Sequence, residues 1–249
     1  MRTHQRIVLA RAGNAAELRQ AIAKLDTEVP LRTEGRQSEH VERYGIVHLL
    51  LSIPASRFRF PLTVDHGDRP DFIIEDSGKR IAIEHVEAIS ENEAKKAALR
   101  EQSDEDSMHF LSHATPGERK KSTKRLLREI EADEPGDGWI GDSPEREWAE
   151  AMVYFAVGKA ASVTDEGYDR GDETRLLIYD NWPVPHINTK KAAEYFLANA
   201  RLPEIFAVFS HVYVMDGSEV WEFTADQCEH HALQRPNECI ERYAGNVRP

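Results

Sequence analysis

Cysteine, long apolar runs, phosphate-cradling glycine loops and net positive charge are all scarce in this chain, and each shortage removes a class of function. Two cysteines, Cys228 and Cys239, in 249 residues are too few for a disulfide framework or a thiolate zinc site, so both are expected to stay reduced. No stretch approaches the roughly 20 apolar residues of a membrane span, and the N-terminal MRTHQRIVLARAGNAAELRQ lacks the apolar centre of a signal peptide. The chain therefore reads as soluble and cytoplasmic. No nucleotide-binding glycine loop and no nucleophile elbow occurs, which argues against a small-molecule enzyme on an unrelated α/β sheet. A formal net charge of -12 at pH 7 excludes a protein that coats nucleic acid along its whole length, because counterion release requires clustered Lys and Arg.

What is present suffices for a folded α/β protein. Hydrophobic residues make up 40% of the chain, enough for a sizeable core. Leu18, Ile22 and Leu25 share a helical stripe with Asn14 placed to cap it, and Val41, Tyr44, Val47, Leu50 and Leu51 form a second stripe opened by Ser38 and closed before Pro54. The runs FRFPLTV, DFIIE and RIAIEHVEA, separated by HGDRP and Asp76-Ser77-Gly78-Lys79, predict an antiparallel meander over residues 58 to 88. Residues 90 to 140 are highly charged and predict a surface-exposed helical insertion. Apolar period returns in SPEREWAEAMVYFAVGKAA, a helix opened by Ser143-Pro144 with Trp148, Met152, Phe155 and Ala156 on one face. TRLLIYDN predicts a buried strand, an exposed helix follows over about 189 to 200, and IFAVFSHVYVM and EVWEF predict a strand pair before a polar tail of low structural content. With no repeats and no low-complexity linker, residues 1 to 249 read as one domain carrying the insertion.

Two acids stand out. Glu84 sits inside the apolar run IAIEHV, where an unpaired carboxylate is costly, and Asp71 follows Pro70 at the mouth of the same hairpin. Hard divalent cations take carboxylate oxygens, and a magnesium site needs only one or two of them beside water and substrate phosphate. His85 should face away from Glu84 by strand alternation, leaving its imidazole structural. Lys159 also demands a reason, since an ammonium on a largely apolar helix needs either a partner or a snorkelling path to water; Glu150 and Tyr154 lie on or near the same helix.

The order of these elements, with Pro70-Asp71 and Glu84 on a hairpin, resembles the αβββαβ core of the PD-(D/E)xK nuclease superfamily over roughly residues 38 to 88 and 145 to 182. The resemblance implies a restriction-endonuclease-like fold with a mixed central sheet flanked by helices. It also implies Asp71 and Glu84 as ligands of Mg2+ or Mn2+, the His85 backbone carbonyl completing the metal shell, and Glu39 or Glu42 as a further carboxylate. The family's lysine two positions after the acid is replaced by Val86, so Lys159 is expected to supply the amine from a neighbouring helix, as some members do. The implied activity is metal-dependent phosphodiester hydrolysis of nucleic acid, DNA ahead of RNA; the alternative is a catalytically inactive binding or interaction protein of the same fold. Arg119, Lys120, Lys121, Lys124, Arg125 and Arg128 form the one dense basic patch, which would either grip a phosphate backbone or serve as a solvated face balanced by Glu118 and by the acids from Glu129 to Asp133. The His230-His231 pair has no convincing metal-ligand spacing.

Overall fold

A computed structural model describes residues 6–103, 109–164 and 168–237. The eight strands among them, β1 (Ile7–Ala12), β2 (Leu62–His66), β3 (Phe72–Asp76), β4 (Lys79–Ala88), β5 (Glu173–Asp180), β6 (His211–Met215), β7 (Glu219–Phe223) and β8 (Cys228–Ala232), form one mixed sheet in chain order. Pairing is antiparallel from β1 to β4, parallel for β4 with β5 and β5 with β6, and antiparallel again through β8. Among the described residues seven α-helices accompany it: α1 (Ala15–Ile22), α2 (Ser38–Ser52), α3 (Glu91–Ser103), α4 (Thr123–Ala132), α5 (Ser143–Val163), α6 (Thr189–Leu197) and α7 (Leu202–Phe206). Within the same residues no helix is long and apolar enough to cross a membrane.

Alternation along the strands splits the core into two layers. Leu177, Tyr213 and Met215 join α1, α2 and the first four strands on one side. Their neighbours Leu176, Ile178, Val212 and Val214 join α5, α6 and α7 on the other. The sheet is thus an α/β wall with a helical layer on each face. The hairpin from β3 to β4 turns at Ser77-Gly78, both at positive φ, which the Asp-Ser-Gly-Lys sequence anticipates. Asn14 caps α1 through its side chain, which accepts the Glu17 backbone N–H at 3.0 Å.

Several expectations need correction. The meander begins at Leu62, not residue 58, because residues 55–57 form a short 3-10 turn. Cap position on α2 belongs to Gln37, with Ser38 already helical. IFAVF is not strand: Leu202-Pro203 opens α7, and Ile205 and Phe209 are buried at helical spacing. The helix after β5 ends at Leu197 and buries Ala192, Ala193 and Phe196. The polar tail contributes β8, which pairs with β7 through its backbone although its side chains are mostly exposed. Segment 90–140 carries α3 and α4 packed on each other, with Leu126 and Lys96 buried. Cys228 is a free thiol, and Cys239 lies outside the described residues.

Candidate metal and phosphodiester site

The site begins with a turn. The Gly67 backbone N–H donates to the Asp71 carbonyl at 2.8 Å, closing the loop between β2 and β3 and setting Asp71 just before β3. Phe72 pairs with Ile83, so the register carried back one step sets Asp71 against Glu84. Oδ2 of Asp71 accepts the backbone N–H of His85 at 2.7 Å, which fixes the carboxylate against β4. From the opposite layer α5 delivers Lys159. Its Nζ lies 2.6 Å from Glu84 Oε2 and 3.8 Å from Asp71 Oδ2, so one ammonium is shared by both carboxylates. The three residues picked from sequence converge on one point.

Their environment is unusual for charged groups. Glu84 is only 5% exposed. Burial, reinforced by the Glu84 charge, lifts the Asp71 carboxyl to about 7 against the opposing pull of Lys159 and the His85 N–H. Burial works against the Lys159 ammonium, but Asp71 and Glu84 more than offset it and raise its pKa. The second oxygen of Glu84, Oε1, accepts the hydroxyl of Tyr168, whose own pKa is raised by burial and then by Glu84. Sequence reasoning misses Tyr168, because it sits in irregular chain between α5 and β5, where no periodicity marks it.

His85 meets the site through its main chain while its side chain occupies the other face, as alternation requires. There it packs under α2: a Cβ on Gly45 would lie 3.0 Å from its Cδ2 and Nε2. Burial drives its pKa down to about 3, so the imidazole is neutral, and its Nε2 has no hydrogen-bond partner among the described residues. On that same layer Glu42 Oε2 stands 2.8 Å from His66 Nε2, and its charge reaches both Asp71 and Lys159. Glu39 is exposed. Both glutamates line a cleft of about 360 Å³ that ends at Asp71, with Arg43, His66 and Asp68. Lys159 opens instead onto a groove of about 500 Å³ on the α5 side, with Val86, Tyr154, Phe155 and Arg201. The carboxylate pair therefore stands between two openings.

The donor set fits a hard divalent cation. Two carboxylates, one at the entry to β3 and one on β4, converge in partial shelter from water, with the Asp71 carboxyl lifted by burial and then by the Glu84 charge, which a cation would offset. A second set of suitable groups lies elsewhere: Glu222, Glu229 and His231 bring ligand atoms within 4.8 Å of one another. His231 thus has acidic neighbours that its sequence spacing conceals. Arg57 already bridges the two glutamates, at 3.3 Å and 2.8 Å, and supplies the positive charge there.

The basic segment is partly neutralised. Lys121 and Arg125 pair with Glu129 and Lys120 with Glu91, leaving exposed Arg119, Lys124 and Arg128 without an ion pair among the described residues. No family model, curated protein or solved structure matches this chain.

Proposed function

We propose that this protein is a divalent-metal-dependent phosphodiesterase acting on nucleic acid, DNA in preference to RNA, on a restriction-endonuclease-like core. The observation that carries the reading is the shared ammonium: Lys159 reaches both Asp71 and Glu84 from a different element, supplying the amine that Val86 cannot. The order of α2, antiparallel β2-β3-β4, α5, and β5 parallel to β4 supports the same fold reading.

Asp71 and Glu84 would hold Mg2+ or Mn2+, with the His85 backbone carbonyl as a further oxygen. A cation held by these residues would supply Lewis-acid polarisation of a phosphate oxygen. Lys159, positive and anchored on Glu84, orients the attacking water and stabilises the charge developing on the phosphate. Glu42, held by His66, adds negative potential from the α2 side and orients water entering the cleft. The exposed Arg119, Lys124 and Arg128 would contact the backbone away from the site.

A second reading, a binding protein that has lost catalysis, draws on Tyr168: its hydroxyl and Lys159 together engage both oxygens of Glu84. For catalysis the Tyr168 hydroxyl has to yield Oε1. Incubating linear, circular and single-stranded DNA with Mg2+ or Mn2+ separates the two readings. Metal-dependent cleavage by the native protein that Asp71→Ala and Glu84→Ala abolish supports hydrolysis. Absence of cleavage with retained DNA binding supports the inactive reading, and equal cleavage by all three proteins would trace the activity to a contaminant.

A further inference from the structure

The groove on the α5 side of the site has features that internal packing leaves unexplained. Gly158 lies in the middle of α5, where a glycine costs roughly 1 kcal/mol relative to alanine. Yet apart from its own stretch of helix no atom lies within 4 Å of where its Cβ would stand, so no packing neighbour requires the missing side chain. Open space begins at that point. Phe155 is one helical turn before Lys159 on the same face, and Tyr154, one turn before Gly158, forms the adjoining margin at 45% exposure. Tyr154 is held in place from its edges: Phe155 meets its ring edge-on at 5.5 Å, and the Gly117 turn, at positive φ, lies against its hydroxyl end.

The two ends of the groove differ in chemistry. One end is Lys159, in contact with both carboxylates. Beyond Tyr154 the Gly117 turn closes the margin, and the chain after it is pinned by Asn92, whose side chain donates to the Arg119 carbonyl at 3.1 Å and accepts the Lys121 N–H at 2.8 Å. Arg201 stands on the rim. An apolar, aromatic floor with Lys159 at one end and Arg201, paired with Glu204, on its rim does not match a duplex, which turns its phosphates outward and hides its base faces. It matches a single strand, whose bases present π faces and whose phosphates alternate with them. The axial rise from Tyr154 to Lys159 is roughly 7.5 Å, on the order of one nucleotide of extended strand.

We propose that this groove binds a single-stranded nucleic-acid segment, with the base next to the scissile phosphate stacked on Tyr154 and the chain passing over Gly158. The proposal rests on the phosphodiesterase reading for the position of the scissile phosphate, but strand binding is measured separately from cleavage. The measurement is equilibrium binding of a labelled single-stranded deoxyoligonucleotide and of its blunt duplex, in EDTA so that nothing is cut. Tyr154→Ala should weaken single-strand binding about tenfold and leave duplex binding unchanged, Tyr154→Trp should restore it, and Gly158→Leu should block it by filling the groove. Unchanged single-strand affinity in Tyr154→Ala and Gly158→Leu would overturn the proposal, as would equal losses for strand and duplex that Tyr154→Trp does not rescue. Tyr154-dependent strand binding without any Mg2+- or Mn2+-dependent cleavage would uphold the groove and remove the hydrolase. Mg2+- or Mn2+-dependent cleavage with single-strand binding indifferent to Tyr154 would do the reverse.

Discussion

Asp71 is the residue whose protonation the fold most visibly controls. Its pKa of about 7 lies above that of an unfolded aspartate, near 3.9. The stabilisation it provides is therefore complete below about pH 4 and is lost as pH rises through 7. In metal-free protein, Asp71→Asn should gain stability over the native chain between about pH 5 and pH 8, on the order of 2 kcal/mol, read from denaturant midpoints. Parallel curves would mean that Asp71 titrates normally. Metal binding should also release a proton near neutrality, because a cation needs the ionised carboxylate; calorimetry in two buffers of different ionisation enthalpy would register it. Asp71, Glu84 and Lys159 were legible in the sequence because of their setting: an acid inside IAIEHV, its partner at the mouth of the same hairpin, an amine on an apolar helix. Tyr168 breaks no rule of burial. A tyrosine in an irregular polar segment is inconspicuous until the fold carries it to Glu84.

At the scale of elements, the approach of α2 to β4 fixes where His85 sits, and through its backbone N–H where Asp71 points. Gly45 permits that approach. Leu177 stands 3.2 Å from the place its Cβ would occupy, and His85 closer still. Gly45→Val should therefore destabilise the protein by about 2 kcal/mol through overpacking, and it should lower metal affinity by disturbing Asp71; a native melting temperature for Gly45→Val would show that α2 can shift freely. α1 was readable because its buried Leu18 and Ile22 keep helical spacing, whereas α2 is buried without a break from Gly45 to Leu51 and was readable from its length and its apolar content. Edge strands were not. β1 leaves Ile7 and Val8 exposed, and β8 holds its place by main-chain pairing with β7 rather than by side chains. A hydrophobic pattern cannot announce a strand that buries little.

For the whole molecule, the balance of charge sets how nucleic acid would be held. A chain of net charge -12 repels a polyanion except where cations gather, and three exposed ones near α4 lack an ion pair among the described residues. Affinity for DNA should fall only gently with salt, with a log-log slope of about -2 to -3. Lys124→Glu with Arg128→Glu should cut affinity about tenfold while leaving metal binding intact. A steep slope, or no effect of the double substitution, would place the contact surface elsewhere. The α/β character and the central hairpin followed from strand and helix periods in the sequence; the two-sided burial of the sheet required long-range pairing that no local window contains.

Strand order that equals chain order has a consequence for how the protein assembles. β2 to β4 join through neighbours close in sequence, and so do β6 to β8, but residues 13–61 separate β1 from β2, and β4 and β5 are separated by the longer stretch from Ala88 to Glu173. Closing that long loop is a non-local event, whose entropic cost rises only by about 0.6 kcal/mol for each doubling of its length. The crossover can therefore gain or lose residues around α3 and α4 cheaply. Lys159 and Tyr168 both belong to that crossover, whereas Asp71 and Glu84 belong to the early meander. The acid pair thus comes together within one local hairpin, whereas the cation that tames it reaches Glu84 across 75 residues of chain.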